Sequence, residues 1–179
     1  VTRLADVVGG AGDVNTFNSS EGVLYAEIAA LESIVSTDRH IILKGDSNNY
    51  INLYYNNQGN LIARYNVGGS STFLGYAIAN QKTNLKAAVV WKINRFELWI
   101  DGSNVSNNYT KPVFTTQILN ELNFDNVNGN TPFFGNTKDL RVYKTALTDE
   151  RLIYITGTLN ENYYNTYFDM SNALNYTPQ

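Results

Sequence analysis

Between Tyr50 and Val67 the chain reads YINLYY, then NNQGN, then LIARYNV. Apolar and polar residues alternate on both sides of a stretch rich in asparagine and glycine. Alternation of period two is what a strand with one buried face requires, and Asn and Gly tolerate the backbone conformations of a tight reversal. The same unit recurs along the chain. Gly22 to Leu31 (GVLYAEIAAL) is mixed enough to be buried on both sides, and His40 to Lys44 runs into the turn GDSNN. Phe73 to Ala79, Lys86 to Ile93 (KAAVVWKI), Phe96 to Ile100 (FELWI, ending in Asp-Gly), Leu119 to Phe124 and Thr137 to Tyr143 follow. Short strands at near-regular spacing, separated by turn residues, predict an all-β chain folded as an antiparallel β-sandwich. After Asp101-Gly102 the pattern weakens into an Asn-rich stretch.

One segment departs from this rhythm. In FFGNTKDLRVYKTALTDERL (133–152) an alternating strand runs into Thr-Asp-Glu. Thr148 can cap a helix whose first turn holds Asp149 and Glu150, so a short helix is predicted near residue 150. Farther on, Tyr164, Tyr167, Phe168 and Leu174 recur at helical spacing within 163–174. They predict a short C-terminal helix or packed tail over 158–179, docked on a domain spanning 1–157, with Gly157 permitting the reversal.

Size and charge narrow the function. With 179 residues the chain is expected to be one domain, long enough to bury roughly 70% of its unfolded surface. There is no cysteine, which removes disulfides and thiolate metal sites and suits a bacterial or viral origin. Thirteen Lys and Arg stand against 16 Asp and Glu, a net charge of -3, so no basic field exists to hold nucleic acid. No apolar run reaches the ~18 residues of a membrane-inserting helix. The first residues, VTRLAD, lack the pattern of a signal peptide, and a start at Val1 suggests a piece of something longer. Thirteen tyrosines and Asn pairs at 48–49, 56–57 and 107–108 suit a surface that meets neutral polar ligands, although tyrosine is also a strong strand former.

Three blocks, SSEGVLYAEI (19–28), AAVVWKINRFELWIDG (87–102) and the 133–152 segment above, together resemble the concanavalin A-like lectin/glucanase superfamily. Within it they are most similar to the laminin-G-like domains of bacteriophage tail and fibre proteins. The resemblance implies a jelly-roll sandwich in which Arg141, Val142 and Tyr143 lie on the closing strand and the helix begun at Thr148 covers one end. It also implies that the 133–152 motif marks the fold and is not a site.

Hydrolysis needs two carboxyl groups set across the scissile bond. Glu27 with Glu32 fall on opposite faces of a strand, and Glu97 with Asp101 are interrupted by Trp99. His40 has no Asp-Ser partnership, and no nucleophile elbow is present. The chain reads as no enzyme. A carbohydrate site needs aromatic rings beside amides and charged groups. With Ile51 and Leu53 inward, Tyr50, Asn52 and Tyr54 face outward; by the same logic Arg64 and Asn66 face out of LIARYNV, and Glu97 and Trp99 out of FELWI. Since the family's middle strands form one concave sheet, Tyr54, Arg64 and Trp99 are expected on one surface.

No cofactor is required. Calcium is offered a site at Asp125, Asn126 and Asn128, with Gly45 to Asn48 as a second cluster, though neither carries a full liganding pattern. Asn18, Asn104, Asn108 and Asn175 match glycosylation acceptors, of little weight in a phage-like chain. The expected function is a non-catalytic, lectin-like carbohydrate-binding module of a larger virion or cell-surface protein. Its partners would be host-surface or environmental glycans and other domains or subunits of the parent protein. It would lie on a virion tail or an extracellular surface. The alternative is a structural or oligomerisation domain of a phage tail or fibre protein.

Overall fold

A computed structural model describes residues 10–31, 37–110, 114 and 116–157. Along these run β1 (Gly22–Ala30), β2 (Arg39–Asp46), β3 (Asn49–Tyr55), β4 (Asn60–Val67), β5 (Ser70–Ala77), β6 (Leu85–Lys92), β7 (Arg95–Ile100), β8 (Ser103–Asn108), β9 (Glu121–Asn123), β10 (Gly135–Tyr143) and the helix α1 (Asp149–Thr156). The strands form two five-stranded sheets, ordered β10-β1-β6-β7-β8 and β5-β4-β3-β2-β9, with every neighbouring pair antiparallel. This is the sandwich that the alternation predicts.

The core fills the space between the sheets. From the first sheet come Leu24, Ala26, Ile28, Val89, Trp91, Phe96 and Leu98; from the second come Ile41, Leu43, Ile51, Leu53, Leu61 and Ala63. Burial of these apolar side chains is the main force closing the fold. β1 is buried on both faces, as its mixed composition implies, because its alternate residues Val23 and Tyr25 form a second cluster with Ala88, Val90, Trp99, Leu152 and Ile155. That cluster lies between the outer face of the first sheet and α1. The helix starts as predicted: the Thr148 side chain accepts from the Arg151 N–H at 3.3 Å, with Asp149 and Glu150 in the first turn.

Its far end is seated by close packing. Gly157 takes an extended backbone with φ -70°, so left-handed freedom is not what it supplies. A Cβ there would lie 2.5 Å from the Ile153 carbonyl oxygen, and Gly102 approaches its Cα. The Gly102 N–H donates to Thr156 Oγ1 (3.0 Å) and Lys86 Nζ donates to the Gly157 carbonyl (3.1 Å), placing a cation at the negative end of the helix.

One element escapes the pattern. The Asn-rich stretch after Asp101-Gly102 forms β8, joined to β7 by a reversal in which both Asp101 (φ 47°) and Gly102 (φ 84°) adopt positive φ. That geometry favours a two-residue hairpin. β8 is an edge strand held by its backbone ladder to β7, so it needs no strongly apolar face. The helix expected over 163–174, the tail 158–179, Glu32 and Asn175 lie outside the described residues. Among the described residues no helix is long and apolar enough to cross a membrane.

Candidate functional site

The inward set of the second sheet fixes its outward set. Strand register aligns Lys44, Tyr50, Asn66 and Ser71 in one row, Ile42, Asn52, Arg64 and Phe73 in the next, and His40, Tyr54, Ile62 and Gly75 in a third. β9 extends the first two rows with Glu121 and Asn123. Tyr50, Asn52, Tyr54, Arg64 and Asn66 are therefore brought onto one face, as their alternation predicts.

Trp99 is not. It lies on β7, in the other sheet, and its outward direction leads under α1, where it packs with Leu152 and Ile155 and is only 4% exposed. The expectation that Tyr54, Arg64 and Trp99 share a surface is corrected by the topology. A sandwich has two outer faces, and pointing outward does not say from which sheet. The Trp99 Nε1–H donates to Glu97 Oε2 at 2.7 Å; Arg95 donates to the same oxygen at 2.9 Å, to Asp149 Oδ1 at 2.7 Å and to the Leu147 carbonyl at 2.9 Å. This network, buried at Trp99 and Glu97 and open at Asp149, fastens the start of the helix to the sheet.

On the outer face of the second sheet Tyr50, Asn52 and Asn66 are buried, Tyr54 and Arg64 are half-buried and Phe73 is exposed, and the geometry centres on Arg64. Its Nε and Nη2 donate to Ser71 Oγ (3.0 and 2.8 Å), and its guanidinium carbon sits 4.9 Å from the Tyr50 ring centroid and 5.1 Å from that of Phe73. Ser71 Oγ donates to Asn66 Oδ1 (2.7 Å), and Asn66 Nδ2 donates to the Asn48 carbonyl (2.9 Å). The arginine is thus held by two rings and a hydroxyl that is itself anchored. No carboxylate pairs with it among the described residues.

Beside it, Asn52 Nδ2 donates to His40 Nδ1 at 2.8 Å and the imidazole stacks on Tyr54 with centroids 4.6 Å apart. Burial is the main cause that pulls His40 below its ordinary pKa, which keeps the ring a neutral acceptor at Nδ1. Burial also raises the phenols of Tyr50 and Tyr54 above their ordinary value, leaving both as protonated hydroxyls. Asn52 is 2% exposed, and its Oδ1 has no hydrogen-bond partner.

Phe73 is the residue that sequence reasoning passed over. It is 55% exposed and lies in the same row as Arg64 and Asn52. The signal was present in SSTFLGYA, where buried Thr72 and Leu74 leave Phe73 on the opposite face. An exposed ring next to a fixed guanidinium and amides supplies stacking and hydrogen bonding together.

The carboxylates proposed for hydrolysis are bound into the framework. Glu97 serves the helix, Glu27 pairs with Lys138 at 2.7 Å, and Asp101 Oδ1 accepts the Lys86 N–H at 3.0 Å. A groove of about 350 Å³, lined in part by Tyr76, Asn80, Thr83, Asn84, Asp101 and Ser103, shares no residue with the Arg64 rows.

In the proposed calcium loop part of the donor set is already committed. Asn126 Oδ1 accepts the N–H groups of Asn128 and Asn130 (both 3.0 Å), so this oxygen closes its own turn. Asp125 Oδ1 has no partner and burial raises its carboxyl pKa, so this loop offers one carboxylate to a cation. In the second cluster Asp46 Oδ1 likewise accepts the Asn48 N–H at 2.7 Å. Among the described residues no group of three His, Cys, Asp or Glu could hold a metal ion.

Comparison with known proteins agrees with this architecture. A family model described as the concanavalin A-like lectin/glucanases superfamily matches residues 29–152. No curated protein matches the sequence. Among solved structures, the CBM40 of the Ruminococcus gnavus IT-sialidase bound to α2,3-sialyllactose superposes with a TM-score of 0.65 at 15% identity, over 86% of this chain and 97% of that one. Domain 4 of an extracellular arabinanase from Geobacillus stearothermophilus, in complex with arabinotriose, gives 0.65 at 16% identity, over 81% and 70% of the two chains. A leech intramolecular trans-sialidase gives 0.64 at 16% identity over 87% of this chain, which spans 27% of that protein. Identities this low carry the fold alone.

Proposed function

Because the chain belongs to the concanavalin A-like lectin/glucanase superfamily, whose fold does not by itself settle activity, we propose from its site that it is a non-catalytic carbohydrate-binding module with its ligand on the outer face of the second sheet. The observation that carries this reading is the exposed Phe73 ring in register with Arg64 and Asn52, beside the His40–Tyr54 stack. Such a surface stacks on the C–H face of a sugar ring and bonds its hydroxyls. Support comes from the fold neighbours that carry sialyllactose and arabinotriose. The non-catalytic reading is supported by the use of Glu97 and Glu27 in ion pairs of the framework. We place the module in a larger virion or cell-surface protein that meets glycans outside the cell.

The test is a glycan array probed with the wild type and with Phe73→Ala. Retention of a defined glycan set by the wild type, lost in the variant at unchanged melting temperature, supports the reading; an array blank for both removes it. One observation favours a second reading, a structural domain that joins copies of the chain. β5 is a sheet edge and exposes both Phe73 and Tyr76, and edge strands invite pairing. Sedimentation that finds a dimer abolished by Tyr76→Lys, together with a blank array, would establish it.

A further inference from the structure

We propose that the second sheet's outer face selects an acidic glycan, one that carries a carboxylate, through the guanidinium of Arg64; the inference rests on the carbohydrate-binding reading of that face and names the class of sugar. The charges of the described residues do not balance at Arg64. The chain holds more acids than bases, 16 against 13, and Arg95 and Arg141 each have a carboxylate within 2.9 Å. Arg64 has none among the described residues. On β2, Lys44 is matched by Glu121 of β9 at 3.7 Å, and Asp38 sits 3.9 Å from His40. The strand on the other side offers Ser71, Phe73 and Gly75, and β3 offers Tyr50, Asn52 and Tyr54. Among the described residues, the face presents one cation without a carboxylate partner.

That cation is also held ready. Ser71 Oγ takes the Nε–H and one Nη2–H, which is the lateral edge of the guanidinium. For the end edge, made by the remaining Nη2–H and the Nη1 pair, the described residues supply no hydrogen-bond acceptor. Tyr50 and Phe73 flank the group and limit its swing. A planar fork fixed in place before the ligand arrives matches the two oxygens of a carboxylate and loses little freedom on binding. Phe73 supplies an adjoining apolar surface for the sugar ring. Asn52, opposite Arg64 in the ladder, is buried and contacts His40, so it shapes the floor beneath the guanidinium. A neutral sugar would use the ring and leave the guanidinium unused.

The experiment is calorimetric titration of the full 179-residue chain with 3′-sialyllactose and trigalacturonic acid, with the carboxyl-reduced form of each, and with lactose and arabinotriose. We expect at least one acidic probe to bind about 10- to 100-fold tighter than its carboxyl-reduced form, the range a hydrogen-bonded charge pair gives. That preference should weaken with added salt. Arg64→Gln should erase it at unchanged melting temperature, and Arg64→Lys, which keeps the charge but not the fork, should restore only part. Equal binding of acidic and reduced forms, indifferent to Arg64→Gln, would overturn the acidic class while leaving the carbohydrate reading in place. Equal binding of a sulfated lactose and 3′-sialyllactose would also overturn it, in favour of a site for any anion. A blank result with every probe, and a blank glycan array, would overturn both readings together.

Discussion

The first sheet turns Val23, Tyr25, Ala88, Val90 and Trp99 outward, and α1 lays Leu152 and Ile155 across them. The second sheet turns Tyr50, Tyr54, Arg64 and Phe73 outward on strands of the same alternating kind, and α1 lies elsewhere. Each outer face mixes aromatic and polar residues. On one, the polar groups are consumed in holding the helix: Glu97 binds Trp99 and Arg95, and Arg95 reaches Asp149. On the other, Ser71 and Asn66 orient an arginine whose end edge has no acceptor among the described residues. The same strand chemistry yields a second core where α1 is laid down and, on the face α1 leaves uncovered, the surface on which we propose the ligand binds.

The largest effect should come from removing a ring on the covered face. Trp99→Ala opens a cavity beneath α1 and removes one of the two donors to Glu97 Oε2, and thermal or urea unfolding should show a loss of about 3–5 kcal/mol. If that variant keeps full stability and loses glycan binding instead, the contrast between the faces is broken. The counterpart on the open face should act the other way. Phe73→Ala should change stability by no more than about 0.5 kcal/mol, as for an exposed side chain, and should abolish binding on the array.

A smaller effect concerns His40. Its pKa in the fold lies below the ordinary 6.5, chiefly through burial. Between the folded value and 6.5 the unfolded chain binds a proton that the native ring does not, so stability rises with pH across that window. It is complete above about 6.5 and lost progressively as the pH falls below that value. Melting curves between pH 5 and 7 should have a flatter pH dependence in His40→Gln; identical slopes would show that the ring titrates as it does in the unfolded chain. The smallest effect is expected from calcium. Because Asn126 Oδ1 already closes its own turn, millimolar calcium or a chelator should leave the melting temperature where it is. A rise with calcium that disappears in Asp125→Asn would show that the loop is a site.

Much of this contrast is written in local pattern, and the remainder is not. Alternation places Tyr50, Asn52, Tyr54, Arg64 and Asn66 on one face because β3 and β4 are neighbours joined by a short turn, so that register follows from sequence separation. Thr148 marks the helix because capping is a local interaction. Trp99 could not be placed in the same way. Its sheet is set by the pairing of β6 with β1 and by the return of α1, both contacts between distant parts of the chain. β8 was hidden because its backbone ladder to β7 suffices for an edge strand. Phe73 was legible in its alternation with Thr72 and Leu74, but nothing local says that its face remains open.

The central claim is that glycans meet the second sheet's outer face and not the helix-covered one. The most direct test is a nuclear magnetic resonance titration of the labelled chain with 3′-sialyllactose, following side-chain signals of Phe73, Tyr54, Arg64 and Trp99. The account predicts saturable shifts at Phe73, Tyr54 and Arg64 with the Trp99 indole unmoved. Saturable shifts that gather at Trp99 and α1, with Phe73 and Arg64 silent, would contradict it.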